Sequence, residues 1–332
     1  MNDSIGSLII SLDFELYWGV VETKTTDSYH ENLSGAIQAA EDLLNLFLKY
    51  EIQATWATVG MLFAQNPQEL KEMLPERRPS YQNPKVSTYD YINHTNDFQP
   101  EFHFANDVIQ KILKTRHQEL GSHTFSHYFT LESGQSTDEF EADLSAMYDL
   151  GHSLDTELNS IVFPRDQVNP DYLSLLSKYG IKYYRSSPEG KHFSSKTKNS
   201  YLSKIVRFVD SYSSIFGLHT FDNPTLESGN NLTCIPASHF LRPHNSRLPV
   251  LDKLQVKKIV RSIQYAARNK EAFHLWWHPH NFGKNRLENL AMLEQIIIAF
   301  CQMRDKEEIQ SCSMKSYAEH IQQHFKENEL VS

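Results

Sequence analysis

The feature that most constrains this chain is a rhythm in which short, β-prone apolar runs alternate with stretches whose apolar residues recur every three or four positions. Ile5 to Leu12 reads as a buried strand ending in the acidic pair Asp13 and Glu15. Ser34 is the predicted cap of a helix with the apolar face Ile37, Ala40, Leu44, Phe47 and Leu48, and Gln53 to Val59 is the next strand. Val108, Ile109, Ile112 and Leu113 share a helical face ahead of a strand near Gln118 to His123. Ser136 and Glu139 form a capping-box pattern before Phe140, Leu144 and Met147. After a strand at Ile161 to Phe163, Asn169 and Pro170 open a helix that Gly180 is placed to stop before Lys182 to Arg185. Cys234 to Ala237 and Phe273 to Trp277 are further strands, separated by the helix face Leu254, Val256, Ile259, Val260 and Ile263, and Leu287 to Phe325 is mostly helical.

Repeated β/α units without a strand-only block fit a barrel or an open doubly wound sheet, and periodicity does not separate the two. A chain of 332 residues, 40% of them hydrophobic, can bury one large core, so the expectation is a single α/β domain over 1–332. Two stretches interrupt the rhythm: 66–104, rich in Pro, Asn and Tyr, and 189–231, rich in Ser, Thr and Asn. Both read as loop insertions of the lid or binding-loop kind, and 284–332 as a helical C-terminal part.

A net charge of −9 without a Lys/Arg stripe argues against a nucleic-acid partner. Met1 to Ser11 lacks a basic start followed by a long apolar stretch, and no run of about 20 apolar residues follows later. The expectation is a cytoplasmic protein with no integral membrane segment. Cys234, Cys301 and Cys312 match neither a metal knuckle nor a redox pair and read as inert thiols. The oligomeric state is not legible.

Four clusters carry chemistry. His123-Thr-Phe-Ser-His127 spaces two imidazoles four apart, which on a helical turn would offer both to one ion, although such a pair also arises by chance. In Asp13-Phe14-Glu15 the alternate residues of an extended segment point the same way, so both carboxylates can share a pocket. Phe163-Pro-Arg165 follows a strand with a guanidinium that can hold a carboxylate ionised. His274-Leu-Trp-Trp-His278-Pro-His280 ends the last clear strand with three histidines and two indoles, suited to a proton donor beside a sugar-stacking wall, or to an aromatic core patch.

Their order resembles the polysaccharide deacetylase family, the NodB homology group of carbohydrate esterases. The matching segments are Ser11-Leu-Asp-Phe-Glu15, Ala54-Thr-Trp-Ala-Thr-Val-Gly60, Glu119-Leu-Gly-Ser-His-Thr-Phe-Ser-His127, Phe163-Pro-Arg165 and Leu275-Trp-Trp-His278. The resemblance implies a distorted (β/α) barrel of the NodB homology type, with fewer than eight regular units. Departures are visible: Phe14 separates the two acids that usually adjoin, Asp166 follows Arg165 where Pro-Tyr is usual, and the family's Asp- and Trp-containing fourth motif has no clear match.

What the resemblance implies is a metal-dependent hydrolase that removes an N-acyl group, foremost acetyl, from an amino sugar. Glu15, His123 and His127 would hold one divalent ion, zinc foremost, with cobalt, nickel, manganese or iron as substitutes. Asp13 would be the base, oriented by Arg165, and His278 the acid. Trp277, His280 and Arg185 would contact substrate. Two alternatives stay open: the same chemistry on a non-sugar amide or imide, and a catalytically silent sugar-binding protein on the same fold. The expected partner is a small-molecule or oligosaccharide substrate, such as a cytoplasmic saccharide precursor.

Overall fold

β1 (Gly6–Phe14) is buried along its whole length and divides its side chains between two environments. Leu8, Ile10, Leu12 and Phe14 join Phe47, Trp56, Ile263 and Ile296 in the layer between sheet and helices. Ile9 instead packs with Ala57, Val162, Tyr183 and Ile235, in a cluster that Met314, Tyr317 and Ala318 complete. Because successive strand side chains alternate faces, Ser11 and Asp13 share the face of Ile9. The apolar floor of the curled sheet and the polar groups above it therefore come from one strand.

The structure is a computed structural model that describes residues 5–95, 97–187, 201–222, 225–227, 232–306 and 308–331. The other strands are β2 (Ala54–Thr58), β3 (Gln118–Ser122), β4 (Ser160–Val162), β5 (Tyr183–Ser186), β6 (Thr225–Glu227), β7 (Leu232–Pro236), β8 (His239–Phe240), β9 (Ala272–Trp277) and β10 (Ile309–Cys312). Their order is β6-β7-β5-β4-β3-β2-β1-β9-β8, with β10 beside β1. Among these strands the β6–β7 pair alone is antiparallel, and Phe221 adds an isolated antiparallel bridge to Ala272. β7 pairs with β5, whereas β8 pairs with β9. Between them Ala237 N–H donates to the Ser186 carbonyl and Ser238 N–H to that of His274, each at 2.9 Å. The chain thus steps from one side of the sheet to the other, and the sheet curls into the expected distorted (β/α) barrel.

Local signals explain most elements. The Ser136–Glu139 capping box opens the helix Thr137–Ser153, and Asn169 caps the turn Pro170–Tyr172 ahead of the helix Leu173–Lys178. Gly180 follows with φ +74°, a conformation that favours glycine. Ser34 is not the cap expected of it: it ends a short helix, His30–Ser34, and Gly35 starts Ala36–Tyr50. The reason is tertiary, since a Cβ on Gly35 would lie 2.3 Å from the Gly283 carbonyl oxygen. That close approach seats the short helix Pro279–Gly283, and with it the His278–His280 turn, on the barrel wall.

β10 lies within the segment read as mostly helical. Four residues are too few to show a period, and pairing with Gly6 to Ile9 makes the strand. The stretch 66–104 contains the short helices Pro67–Met73, Thr88–His94 and Pro100–His103. In 189–231 the described parts include the helix Tyr201–Asp210 and β6, while 189–200, 223–224 and 228–231 lie outside the described residues. Among the described residues no helix is long and apolar enough to cross a membrane. None of the three cysteines forms a disulfide among the described residues, and burial pushes the Cys312 thiol up to about 12.

Candidate active site

β1 delivers Asp13 and Glu15 to a cavity of about 350 Å³ at the C-terminal ends of the strands. Asp13 is clamped at two points: Arg185 Nη1 donates to Oδ1 and Nη2 to Oδ2, each at 2.7 Å. Fork-to-fork pairs of this kind are among the stronger charge-assisted contacts. Burial works to lower the Arg185 pKa, but Asp13 and Asp166 outweigh it and raise it. Arg185 is itself held from behind. Its Nη1 donates to Ser11 Oγ at 3.0 Å, and Ser11 Oγ lies 2.8 Å from His274 Nε2. His274 Nδ1 faces the Pro236 carbonyl at 3.1 Å, and a carbonyl only accepts, so Nδ1 carries the proton and Nε2 accepts from Ser11. Burial pushes His274 down to about 3, which keeps this chain in one protonation state.

The clamp corrects one expectation. Arg165 was expected to orient Asp13, but it follows β4 with φ +55°, and that turn sends its guanidinium to Glu22 and over the Phe129 ring, 4.4 Å from the centroid. Arg185, expected among substrate contacts, sits fully inside the curl on the Asp13 carboxylate instead.

Glu15 is the hub of the second cluster. His123 Nε2 and His127 Nε2 lie 3.0 and 3.1 Å from its Oε2. Burial works against its ionisation, but His278 and the hydrogen bonds from His123 and His127 outweigh it and hold its carboxyl well below the usual range. His123 Nδ1 donates to the Val162 carbonyl at 2.8 Å, which fixes the ring with Nε2 directed at Glu15. Glu15, His123 and His127 are, among the described residues, the one group of three whose ligand atoms lie within 4.8 Å of one another, and all are buried. Two imidazole Nε2 atoms and a carboxylate converging in a buried pocket fit a divalent cation, which would take the place of the protons between them. Gly19 is part of the fit, since a Cβ there would meet the Glu15 carboxyl at 2.0 Å.

His123 and His127 reach Glu15 from an irregular turn rather than the helical turn their spacing suggested, with Thr124 and His127 at φ +63° and +57°. Asp143, in the helix Thr137–Ser153, holds that turn. It accepts from Phe125 N–H at 2.7 Å, Ser126 N–H at 3.0 Å and Ser126 Oγ at 2.5 Å. Burial raises its pKa to about 6, against the pull of these bonds. Asp143→Ala strands three buried donors, so a loss of about 2–3 kcal/mol in unfolding free energy and about 10- to 100-fold in metal affinity is expected. Urea unfolding and metal titration check it, and unchanged metal affinity would dismiss Asp143 as a support of the turn. His123→Ala should release the metal outright; a variant that purifies with stoichiometric metal refutes its assignment as a ligand.

β9 supplies the remaining wall. His274, Trp276 and His278 face the cavity side, and Trp277 takes the other face. Trp277 is fully buried between Phe47 and Phe282, so it cannot contact substrate as expected. Trp276, not Trp277, lines the cavity, with the Arg185 guanidinium 4.2 Å from its ring centroid. His278 Nε2 lies 3.7 Å from Asp13 Oδ2 and 3.5 Å from Glu15 Oε1. Tyr29 donates to Asn281 Oδ1 at 2.7 Å, which leaves the Asn281 amide to donate to His278 Nδ1 at 3.3 Å. The proton of a neutral His278 then sits on Nε2, facing the carboxylates. His280 is 3% exposed, burial pushes it down to about 3, and its Nε2 is 3.9 Å from Glu15, so it backs the cluster rather than facing the cavity.

A larger cleft of about 670 Å³ is lined by segments that precede β4 and β5. Its His152, Asp155, Glu157, Lys178 and Lys182 are all exposed, unlike the buried acids and imidazoles of the barrel site.

No protein-family model and no curated protein matches the sequence. Solved structures do. A structure described as a polysaccharide deacetylase from Mycobacterium smegmatis matches with TM-score 0.60 at 13% identity, covering 97% of this chain and 92% of that one. Another polysaccharide deacetylase, from Pseudomonas aeruginosa PAO1, matches with TM-score 0.55 at 13% identity, covering 96% and 91%. An allantoinase matches with TM-score 0.56 at 14% identity, covering 95% and 89%. At such identities the likeness shows the fold: the chain has the barrel of the polysaccharide deacetylases that its motifs resemble.

Proposed function

We propose that the protein is a metal-dependent hydrolase that removes an N-acyl group, foremost acetyl, from an amino sugar, acting in the cytoplasm on a small saccharide precursor. The observation that carries this reading is the convergence on one cavity of the Glu15–His123–His127 group, the Arg185-clamped carboxylate of Asp13, and His278. Glu15, His123 and His127 would hold a divalent ion, which when bound would supply Lewis acidity to the acyl carbonyl and to water; zinc suits this donor set, with cobalt, nickel, manganese or iron as substitutes.

Asp13 is the base. Each of its oxygens keeps a lone pair beyond the Arg185 bond, and the guanidinium holds the carboxylate charged and aimed as it takes a proton from the attacking water. His278 is the acid in its imidazolium form, with Nε2–H facing the Asp13 and Glu15 carboxylates. As the carbon–oxygen bond forms and the carbon–nitrogen bond breaks, His278 protonates the nitrogen and the sugar leaves as its amine. The Asp13 proton returns to His278 across the 3.7 Å gap. Trp276 offers its ring as a wall for the sugar. The cavity is near the small end of ligand sites, which favours a precursor over a polymer strand.

Metal analysis followed by an acetate-release screen over N-acetylated sugar precursors tests the reading. Acetate from at least one sugar by metal-loaded protein supports it, and no acetate from any of them sinks it. The allantoinase likeness and the small cavity favour a second reading, hydrolysis of a cyclic amide or ureide, so small cyclic amides belong in the same screen.

A further inference from the structure

The helix Tyr201–Asp210 is packed with its apolar stripe outward. Ser203, Val206 and Asp210 are buried, whereas Ile205, Phe208 and Val209, spaced by three and by one, are exposed on one side. A helix that answered only to the barrel would turn such a stripe inward. More apolar surface follows the helix, where Ile215 is 76% exposed and Phe216 is exposed as well. Large apolar side chains gathered in this way on the outside of a protein mark a surface that something covers.

A second stripe borders the first. Lys258 Nζ, on the helix Val250–Asn269, meets Asp210 Oδ1 at 2.8 Å and joins the two helices. Leu254 lies four positions before Lys258 and Val250 four before Leu254, so both follow that side of the helix, and both are exposed. The exposed charges around them have one sign. Asp210 is the one acid of the first helix and is buried on Lys258, and Asp252 is the one acid of the second and is held by His244. Lys204, Lys253, Lys257 and Arg261 are exposed. A chain of net charge −9 therefore presents, on these two helices, apolar groups with a basic surround.

Charge selects the partner. A second copy docking face to face would set these cations against themselves. An anionic lipid surface accommodates both kinds of group: its acyl region receives the apolar side chains, and its headgroups attract the cations, each of which strengthens binding about fivefold. We propose that this face docks the protein on an anionic membrane surface. The docking goes beyond the hydrolase reading and does not need it. Arg242, which lines the cavity with Ser211, has its guanidinium 5.6 Å from the Phe208 ring centre, so a docked molecule holds that wall of the cavity beside the bilayer.

Flotation of the full chain with vesicles of phosphatidylcholine, alone or mixed with phosphatidylglycerol, tests the docking. Binding to the mixed vesicles is expected, about fivefold or more above the neutral ones. Ile205→Gln combined with Ile215→Gln should weaken it about tenfold or more, and Lys204→Glu about fivefold or more, each at the melting temperature of the parent. Should the paired variant melt lower, Lys204→Glu decides alone. No binding of the parent to mixed vesicles, or parent-like binding by Lys204→Glu or by the paired variant, overturns the docking. Sedimentation velocity without lipid tests the other occupant: self-association of the parent that the paired variant abolishes assigns the face to a second copy and overturns the docking as well.

Discussion

Asp13→Asn is expected to lower turnover by about 10²- to 10⁴-fold while the bound metal is retained. The substitution keeps the shape of the side chain and removes its basicity, and Glu15, His123 and His127, the metal-ligand candidates, are untouched. It also turns an amide nitrogen toward one of the Arg185 donors that now sit 2.7 Å from each oxygen, so some loss of stability accompanies the loss of rate. Single-turnover kinetics beside metal analysis and circular dichroism separate the two effects. A folded, metal-loaded variant as active as the parent would remove Asp13 from the mechanism.

Arg185→Met should cost about 3–5 kcal/mol of stability, because it leaves the Asp13 carboxylate charged, buried and without its cation. Turnover should fall as well, since the base is no longer aimed. Arg185→Lys keeps the charge but cannot form the fork, and recovers only part of either loss. Arg165→Met is the informative comparison. It removes a pair whose guanidinium side is 36% exposed, whereas the Arg185–Asp13 pair is buried on both sides, so although Glu22 is left largely buried the loss of stability should be smaller than that of Arg185→Met. Denaturant unfolding of the three variants checks the ranking, and an Arg165 variant that loses as much as the Arg185 one would return the orienting role to Arg165.

Much of this molecule was legible before any coordinates. The β/α rhythm, the capping box at Ser136 and the glycine stop at Gly180 are short-range signals, and each predicted its element. The barrel itself came from the order of motifs, since periodicity alone left an open sheet equally possible. Asp13 and Glu15 could be assigned one pocket because strand alternation is a local rule. The same rule separated Trp276 from Trp277 but was silent on which of them faced the cavity. That choice needed the register of β9 on β1, which sets Trp276 beside Ser11 and Trp277 beside Leu12.

Asp143, Ser11 and His274 were missed as supports of the site. Asp143 sits in a helix whose apolar face drew attention to its neighbours, and an acidic residue between Phe140 and Leu144 on a buried face was the signal that pointed to it. For Arg185, a guanidinium inside a strand directly after two tyrosines was the signal that a buried anion awaited it.

By itself the sequence determined which residue types end which strands, because hydrophobic period, capping and alternation act over a few positions. Tertiary structure decided which guanidinium meets Asp13, across 172 positions of chain. It also decided which indole borders the cavity and how an irregular turn, pinned by Asp143, brings two imidazoles to Glu15. Strand register and the direction of left-handed turns set those contacts, and both are products of packing the whole barrel rather than of any local stretch of it.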